Sequence, residues 1–271
     1  MKISDQLNRT LVFEETPKRI VSLVPSQTEL LVDLGLENSI VGVTKFCVHP
    51  VHLRKSKTIV GGTKQVHYDK IKALQPDVIL CNKEENTKEM VEELEKIAPV
   101  HVSDIYTVDD TIVLMNQYGE LFSVQEKSTE ITNKLKNLVE NFQAYIANRP
   151  VKKVAYFIWR EPWMVAGNNT IIDHLLSLNK FENVFVNLSR YPEVAISSLI
   201  ETNKPDFVFL SSEPYPFKEK HIKELKKVVP KTKILLVDGE YFSWYGTRLL
   251  GAFSYYKSLH DTIHSKSSTQ I

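Results

Sequence analysis

The sequence predicts an α/β fold of two lobes, each with a parallel sheet, joined by a long helical linker. Three observations carry this. A strand, loop, capped helix and second strand follow one another between Ile20 and Val43. A helix, a Pro-Asp pair and an apolar strand then occur in the same order twice, in well-separated parts of the chain. Between these copies, residues 108–147 contain no proline and one glycine, Gly119, with apolar residues at helical spacing.

The elements follow in order. Ile20-Val21-Ser22-Leu23-Val24 is a short apolar run that ends at Pro25. Ser26-Gln27-Thr28-Glu29 has capping-box spacing, so Ser26 is expected to cap a helix and Glu29 to reach back. Leu30, Leu31 and Leu34 give that helix its apolar face, and Gly35 suits its C-terminal end. Ile40 to Val43 reads as the next strand. Further on, Lys70-Ile71-Lys72-Ala73-Leu74-Gln75-Pro76-Asp77 ends a helix and leads into the buried strand Val78-Ile79-Leu80-Cys81. The module returns at Leu199-Ile200-Glu201-Thr202-Asn203-Lys204-Pro205-Asp206, before Phe207-Val208-Phe209-Leu210. The second lobe opens with a strand from Val154 to Ile158 and a helix from Thr170 to Leu178. In the linker, Ile112, Met115, Tyr118 and Phe122, then Ile131, Leu135, Leu138 and Phe142, mark one or two long helices. The expected boundaries are 17–106 for the first lobe, 107–149 for the connector, 150–262 for the second lobe and 263–271 for a disordered tail, SKSSTQI.

Composition narrows the function classes. The chain has 271 residues, 42% hydrophobic, enough for a sizeable core. Lysine plus arginine number 34 against 33 acidic residues, which leaves no electrostatic footprint for nucleic acid or an anionic membrane. Two cysteines, Cys47 and Cys81, make no disulfide framework. No apolar run is long enough to span a bilayer, and the start lacks a signal-peptide core. The plain expectation is therefore a soluble, cytoplasmic, monomeric protein, or a periplasmic or lipid-anchored one if the start is not native.

On open parallel sheets, ligands bind beyond the carboxyl ends of the strands. Those ends are Pro25-Ser26-Gln27, Lys45-Phe46-Cys47, residues 82–86, Trp159 to Met164, Ser211 to Phe217 and Asp238 to Trp244. All three tryptophans, Trp159, Trp163 and Trp244, fall there, with Phe46, Tyr215 and Phe242. Each can simply cover a sheet end as core. Together they favour a flat, partly apolar ligand such as a tetrapyrrole or aromatic chelate. Glu85, Arg160, Glu161, Glu240 and Arg248 lie among them. Arg160 suits either a ligand's polar edge or an interlobe ion pair. In Lys45-Phe46-Cys47-Val48-His49-Pro50, Cys47 or His49 suits one axial position on an already chelated cobalt or iron. The spacing matches no structural zinc pattern, and free cysteine often packs as a small hydrophobe. No G-x-S-x-G, G-x-x-x-x-G-K-[ST], G-x-G-x-x-G or H-E-x-x-H occurs, so binding without chemistry is the expectation. The alternative is a chelatase-like enzyme using His49 with Glu85 or Glu240.

The opening PKRIVSLVPSQTELLVDLGL and the later stretches GGTKQVHYDKIKALQPDVILCNKEEN, WREPWMVAG, SEPYPF and VDGEYFSWYGTRL carry a resemblance that runs from about Pro17 to His260. Together with the repeated module and the helical connector, they resemble the class III substrate-binding proteins of ABC importers. These form the helical-backbone metal-receptor superfamily, and the chain looks most similar to a leaderless subgroup of its cobalamin-binding branch. The resemblance implies Rossmann-like lobes holding cobalamin or another corrinoid, haem or an iron–siderophore in the cleft between them. It also implies ligand-facing roles for Pro25, Ser26, Phe46 and Glu240. The chain departs from the family where Gly61-Gly62-Thr63 and Glu193 replace pocket tryptophans. Relatives dock onto an ABC permease through one carboxylate per lobe. Asp69 matches the first, whereas Ser198 stands at the second, with Glu201 and Glu193 nearby. With no leader in view, the expectation is a stand-alone binder that does not serve a conventional importer.

Overall fold

The computed structural model describes residues 1–201 and 204–264, without the side chains of Ile200 and Glu201. Of the expected tail, residues 265–271 lie outside the described residues, whereas Ile263 and His264 end the last helix. The chain divides into two compact units: residues 1–136 with 245–248, and residues 137–244 with 249–271.

The first unit opens with an antiparallel hairpin of β1 (Lys2–Ser4) and β2 (Thr10–Val12), which the sequence pattern left unassigned. Buried Asp5 fixes it. Its carboxylate accepts the amides of Leu7, Arg9 and Val102 and pairs with the Arg9 guanidinium at 2.6 Å. The chain continues through β3 (Ile20–Ser22), α1 (Pro25–Asp33), β4 (Ile40–Val43), α2 (Leu53–Ser56), β5 (Thr58–Ile59), α3 (Tyr68–Ala73), β6 (Val78–Asn82), α4 (Lys88–Leu94) and β7 (Val100–Ser103). The strands form one parallel sheet in the order β5-β4-β3-β6-β7, so the winding reverses between β3 and β6. Val21, Leu23, Ile79, Cys81, Val100 and Val102 belong to its core.

The expected capping box at Ser26 does not form. Val24 is the N-cap, Pro25 occupies the first turn and Ser26 is already inside the helix. Proline's fixed φ and missing N–H suit that position, so it moves the helix start one residue earlier. Glu29 instead turns to Arg248. The C-terminal end is as expected: Gly35 has φ +83°, and the Leu36 and Gly35 amides return to the carbonyls of Leu31 and Val32 in a Schellman arrangement.

The linker is two helices, α5 (Val108–Leu121) and α6 (Gln125–Ile146), broken at Ser123, whose φ is +55°. Its one glycine has a packing role. A Cβ on Gly119 would sit 2.7 Å from the Cβ of Ser128, while Ser128 Oγ donates to the Met115 carbonyl at 2.7 Å. The boundary between the units falls inside α6, between Lys136 and Asn137, and α5 belongs with the first unit.

The second unit continues with β8 (Lys152–Trp159), β9 (Met164–Val165), α7 (Ile171–Leu178), β10 (Phe181–Asn183), α8 (Ser198–Glu201), β11 (Phe207–Ser211), α9 (Glu219–Lys226), β12 (Lys233–Val237), α10 (Glu240–Ser243) and α11 (Leu249–His264). Four parallel strands run in the order β10-β8-β11-β12, and β9 pairs antiparallel with β8. Here the winding reverses between β8 and β11.

The repeated Pro-Asp module acquires a physical meaning. In the first unit the Asp77 carboxylate accepts the amides of Lys18 and Arg19 at 2.8 and 2.9 Å, and the Asp77 amide donates to the Arg19 carbonyl. In the second, Asp206 accepts the Lys153 amide at 2.8 Å and its own amide donates to the Lys153 carbonyl. Each aspartate thus locks the start of one central strand to the start of its parallel neighbour.

Candidate functional site

Each sheet has its switch point where the winding reverses, and the loops beyond the carboxyl ends there are the natural ligand positions. In the first unit these loops follow β3 and β6 and contain Pro25, Ser26 and Glu85. Ser26 is nearly buried, and Pro25 and Glu85 are half-buried. The loop after β6 is shaped by two asparagines whose importance the sequence did not signal. Asn82 Oδ1 accepts the amides of Glu84 and Glu85 at 2.9 and 3.2 Å. Asn86 Oδ1 accepts the Asn82 amide, and its Nδ2 donates to the Thr63 carbonyl. Phe46, after β4, is 49% exposed, with the Lys45 ammonium 5.0 Å from its ring centre.

Cys47 and His49 separate. Cys47 is fully buried, its sulfur 3.1 Å from Thr28 Oγ1 and 3.3 Å from Thr44 Oγ1. Burial pushes its thiol above the usual range, so it stays protonated and packs between α1 and β4. The expectation of a thiolate ligand at Cys47 is corrected accordingly. His49 is half-buried and near enough to Glu29 to favour the ionised Glu29 carboxylate. Among the described residues, no group of three or more His, Cys, Asp or Glu side chains is arranged to hold a metal ion.

Arg248 is engaged with Glu29 at 2.6 Å, both side chains largely covered. Burial raises the Glu29 carboxyl, and Arg248 is the chief influence opposing it. In the same segment Tyr245 joins a buried network within the first unit: Gln27 Nε2 donates to Tyr245 Oη and Ser103 Oγ, and Gln27 Oε1 accepts the Tyr118 hydroxyl at 2.8 Å.

In the second unit the switch-point loops follow β8 and β11. They bring Trp159 and Tyr215 together edge-to-face, 5.6 Å apart, with Trp159 39% exposed. Trp163 is more enclosed, stacked on Phe217 at 5.9 Å and edge-on to Phe157 at 5.4 Å. Arg160 is committed locally. Its guanidinium holds Glu224 of α9 through two 3.0 Å bonds and also pairs with Glu161, all within one unit. Trp244 is core: it is 7% exposed and its indole N–H donates to Glu213 Oε1 at 2.8 Å. Burial pushes the Glu213 carboxyl up, with Glu240 and Asp238 adding to it, against the bonds from Ser243 and Trp244. Glu240 begins α10, half-buried, with its amide on Asp238 Oδ1.

Of the expected ligand residues, Phe46 and Trp159 are therefore the large aromatics left open, and Tyr215 adjoins the second. Sequence reasoning missed His221, the 2%-exposed partner of Tyr215. A histidine three residues past a helix start was the available signal.

Comparison with known proteins bears on this geometry. The chain is 23% identical over 214 residues to an ABC transporter substrate-binding lipoprotein, YvrC, of Bacillus subtilis, covering 76% of this chain and 67% of that one. It is 24% identical over 199 residues to a vitamin B12-binding protein of Yersinia pestis, covering 73% and 70%. Among solved structures it resembles the periplasmic vitamin B12 binding protein BtuF of Vibrio cholerae, with a TM-score of 0.80, 17% identity and coverage of 93% and 99%. It also resembles the apo form of the periplasmic heme-binding protein RhuT from Roseiflexus, with a TM-score of 0.78, 16% identity and coverage of 90% and 98%. The periplasmic binding protein family matches residues 20–234. With its two parallel sheets, long helix and that match, the chain belongs to the periplasmic binding protein family.

Proposed function

We propose that the chain is the substrate-binding component of an ABC importer and takes a metal chelate or tetrapyrrole-like molecule without transforming it. The observation that carries this is the exposure of Phe46 beyond the carboxyl end of β4 and of Trp159 at the carboxyl end of β8, where such aromatics offer flat apolar faces. Cobalamin and other corrinoids, haem and iron–siderophores are the ligand classes, supported by relatives named for vitamin B12 and haem. Pro25, Ser26, Glu85, Trp163, Tyr215 and Glu240 complete the proposed ligand-facing set, with His49 the remaining axial ligand.

Relatives named as lipoprotein and periplasmic speak against the cytoplasmic expectation. The protein accordingly works on the outer side of the cytoplasmic membrane and delivers to a permease. Asp69, exposed in the first turn of α3, is a docking carboxylate on the first unit. No helix among the described residues is long and apolar enough to cross a membrane. Tryptophan quenching and thermal shift against cobalamin, cobinamide, haem and ferric siderophores test the ligand class. Binding of at least one tighter than millimolar is expected, and failure of all of them refutes the class. Fractionation of native cells tests the compartment, where recovery solely from cytosol refutes the importer role.

A further inference from the structure

The loop after β11 contains a directed chain of hydrogen bonds that ends near the surface. His221 is the third residue of α9, 2% exposed, and its Nδ1 accepts the Lys218 backbone N–H at 2.8 Å. An imidazole nitrogen that accepts carries no proton, so the proton of the neutral ring sits on Nε2. That nitrogen is 3.2 Å from the Tyr215 hydroxyl and therefore donates to it. The phenolic oxygen, having accepted, turns its own proton away from His221. The Tyr215 ring is held by Phe217 at 4.8 Å, by His221 at 5.4 Å and by the edge contact with exposed Trp159. Capping α9 explains why Nδ1 takes the Lys218 amide. It does not explain the second bond, from Nε2 to Tyr215.

We propose that Tyr215 is a ligand-contacting hydrogen-bond donor, selecting an oxygen acceptor on a side arm of a planar ligand, and that His221 is its positioning residue. This rests on the substrate-binding reading above and deepens it. The bonds run one way, from Lys218 N–H to Nδ1, from Nε2–H to the phenol and from the phenol to the ligand, so each polarises the next. The acceptor is a carboxylate or amide oxygen, as on a porphyrin propionate or a corrin amide arm. Trp159 offers its face to the macrocycle beside it.

The arrangement is also sensitive to acid. Burial first, then Lys220 of α9 and Arg160 of the loop after β8, disfavour protonation of His221, while Glu224 of α9 favours it. Once protonated, the ring would present an Nδ1–H to the Lys218 N–H. Two donors would then face each other, and the orientation of Tyr215 would be lost.

The test uses the full chain and two probes, ferric protoporphyrin IX with carboxylate arms and cobinamide with amide arms. Tyr215→Phe keeps the ring and removes the hydroxyl. His221→Asn keeps an acceptor for the Lys218 amide but is too short to reach Tyr215 and does not titrate. Each single variant should weaken the better probe about tenfold or more, with no further loss in the double variant. Wild-type affinity should hold from about pH 7.5 down to about pH 6.5 and fall as the pH drops further, because His221 charges only below the ordinary histidine value, and His221→Asn should flatten that fall. The probe affected identifies the arm. Wild-type affinity and pH profile in either variant, or losses that multiply in the double variant, overturn the proposal while leaving the substrate-binding reading intact. Thermal melts identify a variant that fails to fold, in which case Tyr215→Phe alone decides. If wild type binds neither probe, the tetrapyrrole ligand class falls, and this proposal with it.

Discussion

Acid should unfold the first unit through His101, and the size of the effect follows from its surroundings. His101 lies in β7, fully buried, with its ring edge-on to Tyr118 at 5.4 Å. Burial holds its pKa down at about 4 against an ordinary value of 6.5, even though Asp5 and Gln117 favour the charged form. At neutral pH both the folded and the unfolded ring are neutral, and the shift contributes nothing. As pH falls below the unfolded value, the unfolded chain takes up a proton that the folded chain refuses, so stability is lost towards the folded value. The loss reaches about 2 kcal/mol at about pH 5 and about 3 kcal/mol once pH is below the folded value. That is a large share of the roughly 5–15 kcal/mol typical of a folded domain. The assay is urea unfolding followed by far-UV circular dichroism at about pH 7.5 and about pH 5, comparing wild type with His101→Phe. Phenylalanine keeps the edge contact and cannot titrate. His260, also pushed down to about 4 by burial, is common to both proteins and cancels. Wild type should lose about 2 kcal/mol more than the variant over this interval. Equal losses would refute the idea that a buried neutral His101 limits acid stability.

Other outcomes follow from the same contacts. Asp5→Ala strands the buried Val102 amide and leaves Arg9 only Glu95 and the Val100 carbonyl, and should cost about 2–4 kcal/mol by urea unfolding. Asp77→Ala and Asp206→Ala break equivalent strand locks at exposed carboxylates, so each should cost about 1 kcal/mol, and the two losses should add. Gly119→Val drives side-chain atoms into Ser128 and should lower stability by about 1–3 kcal/mol, visible as a reduced melting temperature. Neither Cys47 nor Cys81 should react with a thiol reagent in the native protein, and both should react in denaturant, because both are fully buried.

Local signals in the sequence determined the strands β3, β4, β6, β8 and β11, the helices α1, α3, α5, α6 and α7 and the doubling of the plan, but not the β1–β2 hairpin. β-branched runs, helical spacing and the paired Pro-Asp steps depend on neighbours within a few residues, and a chain carries that information wherever it folds. The loops beyond β4, β8 and β11 were legible for the same reason, since each simply follows a recognisable strand. What each side chain does in those loops was not legible, because it depends on partners far away in the sequence. Arg160 is committed to Glu224, Trp244 to Glu213 and Arg248 to Glu29, while Trp159 stays open. Cys47 shows the contrast most plainly. Its sequence context suits a ligand, but its environment is set by Thr28, 19 residues before it, and by the closing of α1 over β4. The pairing of Tyr215 with His221 was hidden for another reason: the two lie six residues apart, but the turn of the loop into α9 that brings the imidazole against the phenol leaves no periodic pattern. Whether a polar group is buried, paired or presented to a ligand is fixed by long-range packing, which a local pattern does not encode.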